Sequence, residues 1–109
     1  MDAAALLRLI SEPTKHAVLQ LLRGGERSVG ELVHAVGATQ SNVSHQLRLL
    51  RDAGLVRSRA IGRTRRYRLA DPELRRLLEQ VEALADRLEQ VAYYSGLELP
   101  FDRGFHGYG

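Results

Sequence analysis

Between Ser28 and Tyr67 the chain reads SVGELVHAVGATQSNVSHQLRLLRDAGLVRSRAIGRTRRY, two short amphipathic segments meeting at a glycine and followed by an arginine-rich hairpin. No other stretch restricts the fold as tightly. Val29, Leu32, Val33 and Val36 recur at helical spacing, Gly37 can adopt a left-handed backbone, and Val43, Leu47 and Leu50 resume the apolar face. The second segment is thereby pinned across the first. Its outward side keeps Gln40, Ser41, Asn42, Ser44, His45, Arg48 and Arg51, donors and acceptors sized for base edges and phosphates. The order helix, turn, helix, hairpin is that of a winged helix-turn-helix, a mainly α fold with a small β-hairpin wing (α+β), and the second helix reads as a head for double-stranded DNA.

Charge points the same way. From Arg48 to Arg68 there are eight arginines against one acid, Asp52, although the whole chain carries only +3. A one-sign field confined to the outer helix and the hairpin after it suits a polyanion. Arg63, Arg65 and Arg66, at the wing tip and in its second strand, are expected to contact the DNA backbone, which positions a protein without specifying sequence. On the helix, Thr39 and Ser41 compete as the N-terminal cap. Asn42 and Gln40 are the favoured adenine readers, because Gln46 lies close to the buried stripe. His45 falls on the exposed face one turn before Arg48, which can reach phosphate or guanine.

A chain of 109 residues, 44% hydrophobic, can bury one modest core. We expect a DNA-binding and dimerisation domain over residues 1–100 and a Gly/aromatic tail over 101–109. With no cysteine, neither disulfides nor thiolate metal sites can form. There is no secretory signal pattern and no apolar run of about 18 residues, so a cytoplasmic protein without membrane contact is expected. No nucleophile elbow, Walker loop or dinucleotide fingerprint is present, which argues against an enzyme.

Local signals divide the chain further. Asp2 can cap a first helix through Ile10. Ser11-Glu12-Pro13 ends it and opens a second, running to Gly24-Gly25. Ser28 and Glu31 form a capping box. Leu55–Arg59 and Thr64–Leu69 are strand candidates around Gly62, and Asp71-Pro72-Glu73 opens a last long helix. In that helix Leu74, Val81 and Leu88 are seven apart, with Leu77, Leu84 and Val91 interleaved. Leu19, Leu22, Leu32, Val36, Val43, Leu47 and Leu50 already supply a core. The surplus stripe, with Leu6 and Leu9 of the first helix, is therefore expected to form a two-fold dimer interface.

The segments EPTKHAVLQLLRGGERSVGEL, SNVSHQLRLLRDAGLV and GRTRRYRL together resemble the ArsR/SmtB family of small bacterial winged-helix repressors, over about Leu7 to Leu88. The resemblance implies a homodimeric, sequence-specific regulator, acting as a repressor on an inverted-repeat operator. It places the helix matching Gln40–Ala53 in the major groove and the wing along the backbone, with His45 at a polar position the family uses on DNA. It also implies that a metal or other inducer is sensed, with the effector unidentified. The family's arsenic and cadmium sensors carry thiolates in the third helix, absent from Glu31–Ala35 here. Its zinc sensors pair an acid and a His at the start of the last helix with ligands about three turns later. Asp71 and Glu73 match the first pair in part, whereas Leu84 and Arg87 near the second cannot ligate.

What remains is a weak set of oxygen and nitrogen ligands. Asp71 and Glu73, or Asp102 and His106 of the tail, could hold nickel, cobalt or zinc, so no tight metal site is expected. Two alternatives stand beside the operator-binding reading. One is a winged-helix module gripping an acidic protein partner, and the other is a nickel-, cobalt- or zinc-responsive regulator that uses the tail.

Overall fold

A computed structural model describes residues 1–95, so the tail with Asp102 and His106 lies outside the described residues. Helices α1 (Ala3–Ser11), α2 (Pro13–Arg23), α3 (Val29–Val36), α4 (Gln40–Asp52) and α5 (Pro72–Ser95) accompany strands β1 (Arg27–Ser28), β2 (Val56–Ile61) and β3 (Thr64–Leu69). The strands form one antiparallel sheet in the order β1-β3-β2. This is a winged helix-turn-helix, with the β2–β3 hairpin as its wing. By contacts the chain divides into two compact units, Met1–Leu78 and Glu79–Gly109.

Local chemistry sets the helix ends. The Asp2 carboxylate accepts from the Ala5 amide at 2.8 Å, and Pro13 starts α2 behind the Glu12 cap. At α3 the Ser28 hydroxyl accepts from the Glu31 amide at 3.1 Å while the Glu31 carboxylate accepts from the Ser28 amide at 2.8 Å, a closed capping box. Gly37, at φ 76°, ends α3 in the left-handed region, where a side chain would be strained. Asp71 opens α5, its carboxylate accepting from the Glu73 amide at 2.8 Å.

The core of the first unit gathers Ile10, Val18, Leu19, Leu22, Leu32, Val43, Leu47, Leu50, Val56, Tyr67 and Leu69 with Leu74 and Leu78 from the start of α5. Each such aliphatic side chain contributes about 1.5–3 kcal/mol by leaving water. Leu74, 6% exposed, thus goes into this core and drops out of the expected dimer stripe. Leu6, Leu9, Leu77 and Val36 are partly buried and packed against the same core. In the second unit, by contrast, Val81, Leu84, Leu88 and Val91 are 37%, 45%, 43% and 55% exposed. No described helix is long and apolar enough to cross a membrane.

The wing differs slightly from expectation. Strand β2 starts one residue later than Leu55 and runs on to Ile61, because pairing continues until Ile61 meets Thr64 across Gly62 and Arg63. Gly62, at φ 60°, makes the turn. Strand β1 has no sequence signature. Its Arg27 and Ser28 become a strand only by pairing with Tyr67 and Arg66.

Candidate nucleic-acid interface

Helix α4 buries Val43, Leu47 and Leu50 completely, and this fixes which side faces out. Thr39 is the N-cap, its hydroxyl accepting from the Asn42 amide at 3.1 Å. The competition between Thr39 and Ser41 is thereby settled, and Ser41, inside the first turn, keeps its hydroxyl exposed. At 100° per residue, Ser41, Ser44, His45, Arg48 and Arg51 share one face. With Tyr67 of β3 they line an open cleft of about 490 Å³. Gln40 is exposed at the helix start, and Asn42 lies exposed on the opposite flank.

Two polar pairs organise this surface. An Arg48 terminal nitrogen donates to His45 Nδ1 at 3.3 Å. A guanidinium only donates, so Nδ1 is the acceptor in this pair. On the far flank Gln46 Nε2 donates to Asn42 Oδ1 at 3.2 Å.

The wing presents two chemically different faces, because alternate residues of a strand point to opposite sides. Tyr67 and Leu69 point into the core, so Arg65 belongs to that side of the sheet, the side from which Tyr67 reaches the cleft. Arg65 donates to the Ser58 hydroxyl at 2.9 Å and is otherwise exposed, and Arg63 is exposed at the turn. On the reverse face Arg57 stands opposite Arg68 and Arg59 opposite Arg66. Like charges so placed repel, and Glu26 relieves the second pair. It accepts from Arg59 Nε and a terminal nitrogen, both at 3.0 Å, and from Arg66 Nε at 3.1 Å.

Arg66 also reaches the Glu26 carbonyl oxygen at 3.2 Å and the Glu31 carboxylate at 3.4 Å. The Arg59 hydrogen bond, and then that of Arg66, holds the Glu26 carboxyl below the ordinary glutamate value. Glu31 is likewise lowered, first by the Ser28 amide of its capping box. Arg66 was expected on the DNA backbone. In the structure it is the hub of a network that ties the wing to the segment between α2 and α3.

The Asp71 carboxylate caps α5, and Glu73 pairs with Arg76 at 3.7 Å. Among the described residues no three His, Cys, Asp or Glu gather as a metal site. Tyr67 was not singled out as a site residue from the sequence. The alternation that sends Leu69 inward could have placed it beside the helix, but only the fold brings its ring to the cleft.

Residues 12–58 match the family described as "Bacterial regulatory protein, arsR family". The chain is 40% identical over 79 residues to the HTH-type transcriptional regulator NmtR of Mycobacterium tuberculosis (strain ATCC 25618 / H37Rv), a match spanning 72% of this chain and 66% of that protein. It resembles the crystal structure of M. tuberculosis Rv0081 with a TM-score of 0.77 and 34% identity, covering 83% of this chain and 91% of the other. A solution NMR structure of the homodimeric winged helix-turn-helix DNA-binding domain (fragment 1-100) Mb0332 from Mycobacterium bovis is similar at a TM-score of 0.69 and 31% identity. It covers 83% of this chain and 88% of that one.

Proposed function

Because the chain belongs to the ArsR family of bacterial regulatory proteins, we propose that it is a homodimeric transcriptional repressor that binds an inverted-repeat operator in the cytoplasm. The observation that carries this reading is the single polar face of α4. Ser41, Ser44, His45, Arg48 and Arg51 are presented together beside the wing while the helix's apolar side is wholly buried. Such a helix fits a major groove about 12 Å wide, with Gln40 and Asn42 near its leading end. In this reading Arg63 and Arg65, both exposed on the wing, track phosphates, and the cleft beside α4 takes part of the DNA backbone.

The dimer is supported by the exposed row Val81, Leu84, Leu88 and Val91, an apolar face whose removal from water favours association. A two-fold dimer would set two reading helices about 34 Å apart, one turn of duplex. We assign it no tight zinc, nickel or cobalt site on Asp71 and Glu73, because these two carboxylates have no imidazole or third carboxylate gathered with them among the described residues. Fluorescence anisotropy on random duplex and on duplexes enriched from a randomised pool tests the function. An operator binder prefers one inverted repeat by about 10³-fold or more and weakens steeply with salt. Uniform, weak affinity for all duplexes would turn the reading toward an acidic protein partner.

A further inference from the structure

We infer that Gln46 is a positioning residue that sets which edge of the Asn42 carboxamide faces the DNA and so confers a preference for adenine without touching a base. This rests on the operator-binding reading. Gln46 is half-buried on the flank of α4, one turn after Asn42, and its Nε2 donates to Asn42 Oδ1 at 3.2 Å. Its own Oε1 is buried without a hydrogen-bond partner. One Nε2 hydrogen is therefore engaged and the acceptor enclosed, so the second Nε2 hydrogen is all that Gln46 retains, and a lone donor cannot make the paired contact that reads adenine.

The consequence falls on Asn42. Its backbone amide is held by the Thr39 cap, which fixes the backbone the side chain springs from, and the hydrogen bond from Gln46 then selects among the side-chain torsions that remain, the rotation of the terminal amide included. Adenine presents N7, an acceptor, beside N6–H₂, a donor, and only one of the two amide orientations of an asparagine in a given pose matches that order. The Asn42 carbonyl oxygen has two lone pairs. Gln46 takes one, and the other, together with an Nδ2 hydrogen, supplies the acceptor–donor pair that adenine requires when Gln46 approaches from the side away from Nδ2. Reversing both amides would satisfy Gln46 Oε1 but strand a buried N–H₂, the rarer kind of orphan.

A merely structural role makes a different forecast. An amide pair one helical turn apart adds little to helix stability, and a buried unpaired acceptor subtracts from it. If Gln46 served the fold alone, an apolar side chain of similar length would do better and would leave base preference unaltered. Gln46→Met thus separates the roles, since it removes the orphan acceptor and the hydrogen bond to Asn42 together.

The test takes duplexes that the wild-type protein enriches from a randomised pool and measures the affinities of Gln46→Met, Asn42→Ala and the double variant for them and their single-base variants, with thermal unfolding alongside. Gln46→Met is expected to unfold no earlier than wild type. It should lose about fivefold in affinity and relax discrimination at the same A·T pair as Asn42→Ala and nowhere else, the lower end of what a bidentate base contact contributes. In the Asn42→Ala background the same change should cost nothing further. Unaltered preference, a uniform loss on every duplex, or an undiminished cost in that background would overturn the inference and leave the operator reading standing. Enrichment of no sequence by the wild type would overturn both.

Discussion

Helix α4 and the half of α5 beyond Leu78 are both amphipathic, and their sequences repeat apolar residues at similar intervals, yet they end in opposite conditions. In α4 the apolar side, Val43, Leu47 and Leu50, is fully buried, and what faces water is polar and cationic. In the later part of α5 the apolar row Val81, Leu84, Leu88 and Val91 itself faces out. Apolar periodicity therefore reports that a face needs cover, and only the count of available neighbours decides whether the chain covers it alone. The first region has met its own needs and has polar groups to spare for a ligand. The second has an apolar surface that a second copy would satisfy.

The sharpest way to break this contrast is to put charge on the exposed row. Val81→Asp with Leu88→Asp would bury unpaired carboxylates in a two-fold interface, a cost of several kcal/mol per ion. Sedimentation should show the mass falling to that of one chain. Operator affinity should fall by orders of magnitude as the second half-site loses its tethered reader. The first unit should keep its helical circular dichroism, since neither residue belongs to its core. A dimer of unchanged mass would show that the exposed row of α5 is not the interface.

Next in size is the reading face of α4. Asn42→Ala or His45→Ala should cost about 1–3 kcal/mol on the operator and relax preference at particular base pairs. Arg65→Ala should act more mildly and alike on all duplexes, with a salt dependence shallower by about one phosphate. Anisotropy over a salt series separates the two behaviours. A change of sequence preference in Arg65→Ala, with none in the helix variants, would reverse the assignment of roles between helix and wing.

These assignments were legible in the sequence to unequal depth. The caps at Asp2, Ser28 and Asp71, the left-handed Gly37 and the turn at Gly62 are made by residues within a few positions of each other, so a linear reading finds them. The network around Arg66 was not legible because its partner Glu26 lies 40 positions away, and strand β1 exists only through long-range pairing of the same kind. Leu74 shares the stripe of Val81 and Leu88. No pattern along one helix says that the stripe changes use after Leu78, because the cover for Leu74 and Leu78 comes from core residues of other elements.

The smallest expected effect concerns charges already satisfied inside the first unit. Glu26 is held below the ordinary glutamate value, first by the Arg59 hydrogen bond and then by that of Arg66. A depressed carboxyl contributes stability that is present above its unfolded value, about 4.3, and is lost as the pH falls through the lower folded value. Glu26→Gln removes that dependence. Between pH 7 and pH 3 the fall of the melting temperature should therefore be shallower in Glu26→Gln than in wild type, with the curves converging at the acid end. The network lies at the surface, so the gap at neutral pH should be small and shrink with salt. At neutral pH the same substitution removes the ion pair that holds Arg59 and one of those that hold Arg66, and non-specific DNA affinity should rise slightly with a steeper salt dependence. Melting curves that stay parallel across the range would show that the Glu26 carboxylate only decorates the wing.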